Sequence, residues 1–294
     1  TLQSSLKPYL EGYQSGMRTG NKTYAMWCLS THSVLIPYMT GKPLKSIEEQ
    51  CQVCVSQMTE LKEEEQSTCT RIIWQLCLNL MGQSNATVEL RGRAIDEKED
   101  SSSVLGNSTF PIIKTIAYSL FGEYELGASQ EISLLNHFEL NGGHFITMMY
   151  MFHQALCLYA MAKKNRKTKK YKTRAKILRK KLTASFKRGN PNVVHYVCLL
   201  NAEHAAIDQK KDAKDVCKLY NDAIVISARG GYVNDAALAH ERFADFLLSN
   251  VGDTDEAKYH IEEAIKCYTG WGAMRKVEHL REQYQGVLVG SSTT

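Results

Sequence analysis

The stretch YNDAIVISARGGYVNDAALAHERFADFLLSNVGDTDEAKYHIEEAIKCYTGWGAMRKVEHL, residues 220–280, decides the fold because it contains two similar segments, YNDAIVISARGGY and IEEAIKCYTGWGA. Ala223 aligns with Ala264 and Gly231 aligns with Gly272, so the period is 41 residues. Around the second segment, apolar residues recur at the spacing of one α-helical face: Ala257, Ile261, Ala264, Ile265 and Tyr268. The intervening NDAALAHERFADFLLSNVGD has a similar pattern. The repeating unit is therefore helix, turn, helix.

A single helical hairpin cannot bury its apolar face, whereas stacked hairpins can, and this is a physical reason for repetition. Only five prolines occur in 294 residues, so long stretches run without a helix breaker. We therefore predict an all-α, tetratricopeptide-like superhelix of helical hairpins with a concave groove. We expect the small residues Ala223 and Ala264 to allow close helix approach. Gly231 and Gly272 are expected to end helices, and Trp271 to pack as an aromatic wedge.

Trp271 lies between two glycines in the segment YTGWGAM. We expect its ring to fill the gap between the last two helices, with the glycines allowing a tight turn around it. A ligand cage built on the same ring is the alternative.

The rest of the chain continues the helical pattern less regularly. Helices are expected near residues 4–18, 22–39, 44–64, 67–82, 109–121, 124–140, 143–164, 168–187, 191–208, 211–229, 234–249, 254–269 and 271–285. The segment Gln83–Thr109 is polar and rich in Ser, Gly and acidic residues, which predicts a long exposed loop followed by a helix with Pro111 in its first turn. The predicted organisation is an N-terminal helical block, 1–82, a polar loop, 83–108, and a C-terminal repeat array, 109–294.

The repeat resembles the helical region of large predicted-ATPase signalling proteins. The resemblance is carried by GGYVNDAALAHERFADF and by the pattern Y..EAI..Y..WGA..KV..L...Y at the C-terminal end. Earlier segments are similar in the same order, among them YLEGYQSGMRTGNKTYAMW, GKPLKSIEEQC, IIWQLCLNLMG, LRGRAIDEKE, IAYSLFGEYELG and FHQALCLYAMAKK. The resemblance therefore spans nearly the whole chain.

In that family a kinase-like domain and an AAA-type ATPase domain precede a tetratricopeptide-like array, and sensor, histidine kinase or cyclase modules often follow. The resemblance implies that this chain corresponds to the array downstream of the ATPase. The sequence contains no glycine-rich phosphate loop ending in Lys-Ser or Lys-Thr, and no kinase signature. We therefore expect no catalytic residue and no cofactor in these residues.

The sharpest electrostatic feature is Lys163–Lys181, which holds 12 of the 36 Lys and Arg residues and no acidic residue. Outside it, 24 basic residues face 31 acidic ones. The stretch is a candidate surface for an acidic partner, nucleic acid or an anionic membrane face. The alternative is a solvated connection between helices, because an apolar stripe continues through it. The candidate contact residues are Lys163, Lys164, Arg166, Lys167, Lys169, Lys170, Lys172 and Arg174.

Two weaker patterns are candidates for a metal or redox site. Cys51 and Cys54 form CQVC, but no second pair at zinc spacing follows, so small buried helix residues are favoured. The histidines His137, His144 and His153 have spacings that match no common helix-borne site, so packing or surface roles are favoured. We predict no metal site.

No run of about 18 apolar residues occurs, so we expect no membrane span. Nine cysteines, an odd number, favour a reduced, cytoplasmic protein. The function predicted is a non-catalytic scaffold that binds protein partners or neighbouring domains and couples signals within a multi-domain ATPase or kinase. The alternative is a module that binds nucleic acid or an acidic partner through Lys163–Lys181. An enzyme in its own right is a third hypothesis without a recognisable set of catalytic residues.

Overall fold

The computed structural model describes residues 2–98, 103–130, 145–164, 169–208 and 210–289. These residues are mostly α-helical and contain no β-strand, apart from one isolated bridge between Arg91 and Asp96. The all-α class predicted from the repeat is confirmed. The tetratricopeptide-like superhelix and its concave groove stay predictions.

The N-terminal part contains five helices and a π-helical turn. The turn, Thr31–Leu35, joins the second helix to the short third one, so residues 22–39 follow one almost continuous path with Pro37 near its end. The helices are α1 (Leu6–Thr19), α2 (Lys22–Ser30), α3 (Ile36–Met39), α4 (Leu44–Glu60) and α5 (Glu64–Met81).

The later helices pack mainly against their neighbours along the chain, as expected of stacked hairpins. A second π-helical turn, Leu247–Val251, follows the twelfth helix. The helices are α6 (Val104–Leu120), α7 (Tyr124–Ser129), α8 (Phe145–Lys164), α9 (Lys169–Lys187), α10 (Val194–Ala206), α11 (Ala213–Arg229), α12 (Val233–Phe246), α13 (Thr254–Trp271), α14 (Met274–Gln283) and α15 (Gln285–Leu288).

Residues that are 41 positions apart in the two copies of the repeat occupy equivalent places in the structure. Ala223 on α11 and Ala264 on α13 are fully buried, which allows close contact with α12. Gly231 and Gly272 follow α11 and α13 with left-handed φ angles of 77° and 91°, a conformation that favours glycine. Asp253 caps the start of α13 by accepting a hydrogen bond from the Glu256 backbone N–H.

The polar loop after α5 is anchored to the protein by a few buried residues, while others, such as Gln83 and Arg91, stay exposed. Leu90, Ala94 and Ile95 are buried. Asn79 on α5 donates to the backbone oxygens of Thr87 and Glu89, at 3.2 and 2.8 Å. The expectation of an exposed loop therefore holds for part of the segment only, because amide side chains of α5 bind the loop backbone and hold three apolar residues in the core.

The helix after the loop begins earlier than predicted. Ser103 caps α6 by accepting a hydrogen bond from the Gly106 N–H at 2.8 Å, so the helix begins at Val104. Pro111 therefore lies inside α6 and not in its first turn. The apolar side chains of α6, including Ile113 and Ile116, are buried in the core, and this packing holds the helix through the proline.

N-terminal and C-terminal helices of the chain meet. Trp271 at the end of α13 lies against Tyr38 of α3, with 5.7 Å between ring centroids, and α14 packs on α5. One hydrophobic core contains buried residues from both predicted blocks, 1–82 and 109–294. The Trp271 ring therefore contacts the N-terminal helices as well as Tyr268 of its own helix, 6.5 Å away.

Helix α8 is the one described segment long and apolar enough to span a membrane by length and composition. Most of it is buried inside the helical stack, where it contacts α6, α7, α9 and α10. A core helix passes the same test, so this composition alone is weak support for a span.

Candidate partner-binding surface

The basic stretch found in the sequence is divided between two helices. Lys163 and Lys164 are the last residues of α8, and the residues from Lys169 onward belong to α9. Lys164, Lys169, Lys170 and Lys172 are exposed, whereas Lys163 and Arg174 are half-buried. The candidate contact residues Arg166 and Lys167 lie outside the described residues.

Helix α9 contains nine Lys and Arg residues among its 19 and no acidic residue. Ala175, Leu178 and Leu182 are buried against α8 and α10. At 3.6 residues per turn, five exposed lysines share the opposite face, which we call the lysine stripe: Lys169, Lys172, Lys176, Lys180 and Lys187. The stripe extends about 27 Å along the helix. Ile177, with half of its surface exposed, borders it beside Lys180.

One end of the stripe opens into a cleft of 760 Å³ between the ends of α8 and α10, the start of α9 and the turn after α12. We call it the lysine cleft, because four lysines line it. Its described lining residues are Ala162, Lys163, Lys169, Lys172, Ala206, Ile207, Asp208, Lys210, Ser249 and Asn250.

The electrostatic environment of the cleft is positive. Lys163 donates a hydrogen bond to the neutral hydroxyl of Ser249, at 2.5 Å. Burial lowers its pKa from the usual lysine value; the carboxylates of Glu203 and Asp245 oppose this shift, and the cation of Arg242 adds to it. In the described part of the chain, none of the four lysines has a carboxylate within salt-bridge distance.

His204, near the end of α10, responds to the same charges. Its pKa falls to about 4, first because the ring is partly buried and then because Arg179, Lys172 and Lys176 lie nearby. The imidazole is therefore neutral at pH 7 and adds no charge to the basic face. Its Nδ1 lies 3.4 Å from the Tyr159 hydroxyl.

Beneath the cleft, a buried network joins four helices. The Arg242 guanidinium on α12 makes a bidentate pair with Glu203 on α10, at 2.8 and 3.1 Å. It also donates to Asp245 and to the Tyr124 hydroxyl on α7, both at 2.9 Å. Tyr220 on α11 donates to Glu203 at 3.0 Å. Because each charge has a partner, the network holds helices together and leaves Arg242 little capacity for a ligand.

A second buried network ties α12 to α13 and α14. Lys276 and Glu241 form an ion pair at 2.7 Å with side chains that are 0% and 3% exposed. The Tyr268 hydroxyl donates to the other oxygen of Glu241 at 3.1 Å. Burial raises the pKa of Glu241, while Lys276 opposes that shift. Sequence reasoning missed both networks, although Glu241, Arg242, Tyr268 and Lys276 all stand in the motifs that carry the family resemblance.

The described residues do not gather a metal site: they contain no group of three or more His, Cys, Asp or Glu placed to hold an ion. Cys51 and Cys54 are buried on α4, and burial raises the pKa of the Cys54 thiol to about 11. His153 is buried in α8 with a pKa lowered to about 3 by burial. His137 and His144 lie outside the described residues.

No family model matches the chain, and no curated protein or solved structure matches it either. The resemblance to the helical region of signalling ATPases therefore remains a hypothesis drawn from motifs. The candidate surface must be judged from its own geometry and charge.

Proposed function

We propose that the chain is a non-catalytic helical-repeat scaffold that binds an acidic protein partner, or an acidic neighbouring domain, along the lysine stripe of α9. The observation that carries this proposal is the stripe itself, five exposed lysines on one face of a helix that has no acidic residue. Like charges along one helix repel each other and destabilise it. A partner with complementary negative charge relieves that repulsion and gains affinity from it.

The proposed setting is a multi-domain signalling ATPase or kinase of the cytoplasm, in which the scaffold passes conformational state between modules. The support for this setting is the C-terminal motif with Tyr268, Trp271 and Lys276, which resembles the array of that family. The contacts of Trp271 with Tyr38 and of α14 with α5 add support, because they join helices of the N-terminal part to helices of the C-terminal part. A shift at one end can therefore reach the other through packed helices.

Nucleic acid is the second candidate partner, since the same lysines can contact phosphates. Binding of single strands also uses several exposed aromatic rings that stack on successive bases, whereas α9 offers one, Phe186, because Tyr171 is half-buried. Ile177, exposed beside the stripe, fits a partner segment with apolar side chains among its acids. The geometry favours an acidic, amphipathic protein segment.

The test is fluorescence anisotropy with two labelled probes of equal net charge at near-physiological salt. One probe is a glutamate-rich peptide with a leucine in each helical turn, and the other is a DNA duplex. We expect the peptide to bind more tightly. The stripe variant Lys176→Glu/Lys180→Glu/Lys187→Glu should lower the affinity for the peptide about a hundredfold. Each substitution changes the charge by two units, and each unit contributes about 0.5 kcal/mol to binding.

The matched control is Lys22→Glu/Lys214→Glu/Lys218→Glu, which changes the same net charge at exposed lysines outside α9. It should change the peptide affinity less than about threefold, since distant surface charges are screened. Ile177→Ser should weaken the peptide about fivefold and leave DNA binding unchanged. Equal losses in both triple variants, or tighter binding of DNA than of peptide, would refute the proposal.

A further inference from the structure

The lysine cleft brings three lysines of the basic stretch together with a fourth from further along the chain. Lys163 comes from the end of α8, Lys169 and Lys172 from the start of α9, and Lys210 from the segment after α10. Asp208 is the one carboxylate among its described lining residues. Three elements thus place four cations around one opening, which concentrates the positive field there.

Two further observations indicate that this field has room for an added negative charge. Lys163 is half-buried and its hydrogen-bond partner is a neutral hydroxyl, so no direct ion pair offsets the cost of desolvating the ammonium, and the more distant Glu203 and Asp245 offset only part of it. The first turn of α9 contains Lys169, Lys170 and Lys172 and no acidic residue. Cations at the positive end of a helix dipole are unfavourable, and a bound anion at this point would reverse the effect.

We propose that the lysine cleft binds the phosphoryl group of a phosphorylated side chain on the acidic partner, an inference that rests on the proposed function. Lys169 and Lys172 belong to both the stripe and the cleft. A segment lying along the stripe therefore ends at the cleft. A phosphoryl group carries nearly two negative charges near pH 7 and three acceptor oxygens, so it can contact several ammonium groups at once, whereas a carboxylate carries one charge.

The size of the cleft agrees with this ligand. Its 760 Å³ leaves room for a phosphoryl group together with the short length of chain that carries it. Ala162, Ala206 and Ile207 provide an apolar part of the wall for that chain. Ser249 and Asn250 add polar side chains at the edge.

The experiment compares three forms of the glutamate-rich peptide with the full chain. One form contains phosphoserine at its end, one contains the same serine without phosphate, and one replaces the phosphoserine by added glutamates to give equal net charge. We expect the phosphoserine form to bind about tenfold more tightly than the glutamate form, because several charge-assisted hydrogen bonds form at one point. Inorganic phosphate should compete away this gain and leave the remaining affinity.

Two double variants test whether the gain in affinity from phosphoserine arises in the lysine cleft. Lys172→Gln/Lys210→Gln removes two exposed cleft lysines and should abolish the preference for phosphoserine over the glutamate form. Lys180→Gln/Lys187→Gln removes two stripe lysines outside the cleft, so it should weaken every peptide and keep the preference. Circular dichroism checks that both variants keep the helical content of the native chain.

The outcomes separate the two proposals. If the unphosphorylated peptide fails to bind along the stripe, the proposed function is wrong. If that peptide binds but phosphoserine gives no gain over the charge-matched form, the phosphoryl site is wrong while the proposed function stands. A gain that persists in Lys172→Gln/Lys210→Gln also refutes the site, and so does binding of inorganic phosphate without any gain for the phosphopeptide.

Discussion

The substitution Lys276→Met tests the buried network that joins α12 to α14. It removes the cation at 2.7 Å from Glu241 and leaves a carboxylate with 3% exposure facing a methyl group. Breaking a buried pair by removing one partner costs about 3–5 kcal/mol. That is a large share of the total stability of about 5–15 kcal/mol expected for a folded protein. Urea unfolding followed by circular dichroism measures the loss.

The pH dependence of this loss identifies its cause. Burial already raises the pKa of Glu241, and without Lys276 the main opposition to that shift is lost, leaving only the weaker effect of Arg242. The folded variant then keeps Glu241 protonated, while the unfolded chain releases the proton above about pH 4.3. The destabilisation should therefore be present at pH 7 and should shrink as the pH falls toward about 4.

Two further variants sharpen the test. Lys266→Met breaks an exposed pair, Lys266 with Glu263 at 3.2 Å and 75% exposure of the lysine, so it should cost less than about 1 kcal/mol. Glu241→Gln/Lys276→Met keeps an acceptor for the Tyr268 hydroxyl without a buried charge, and it should recover most of the stability. The reasoning fails if Lys276→Met costs no more than Lys266→Met, or if its cost does not change with pH.

Three other predictions concern glycine, cysteine and histidine. Gly272→Ala should lower the free energy of unfolding, measured in urea, by about 1–2 kcal/mol because φ at this residue is 91°. Gly270→Ala, inside α13 with open space around it, should raise it by about 0.5 kcal/mol. Losses of equal size in the two variants would contradict this reasoning. A thiol reagent should label the three half-buried cysteines first, Cys198, Cys217 and Cys267, as read by mass spectrometry. Fast labelling of any of the six buried cysteines would disagree with the structure. The pKa of His153 is about 3 in the folded state, so the free energy of unfolding should fall by about 1.4 kcal/mol per pH unit as the pH drops below about 6.5. His153→Leu should remove this contribution to the pH dependence. An unchanged slope in that variant would show that His153 is not the group responsible.

The helical repeat could be predicted because its signals are local. Helix α11 was expected over 211–229 and is Ala213–Arg229, and α13 was expected over 254–269 and is Thr254–Trp271. Apolar spacing, the Asp253 cap and the glycine at each helix end are all read from neighbouring residues. The loop after α5 could not be read in this way, because the amides of Gln75 and Asn79 that hold it belong to the preceding helix.

The candidate surface shows the same division between local and distant signals. The basic stretch was visible as a run of charge, and the structure arranges part of it as the lysine stripe. Lys210 and Ser249 could not be predicted, since they reach the lysine cleft from the segments after α10 and α12. The pairs Arg242 with Glu203 and Lys276 with Glu241 join residues 39 and 35 positions apart, and no local spacing predicts such partners.

Lysine acetylation footprinting tests the central claim most directly, that the partner lies along the lysine stripe. The chain is treated with an acetylating reagent, with and without the glutamate-rich peptide, and the modification of each lysine is read by mass spectrometry. Lys276, fully buried, and Lys266, exposed on α13, serve as internal references. The account predicts protection at Lys169, Lys172, Lys176, Lys180 and Lys187 with no change at Lys266. Equal protection at Lys266, or none along the stripe, would contradict it.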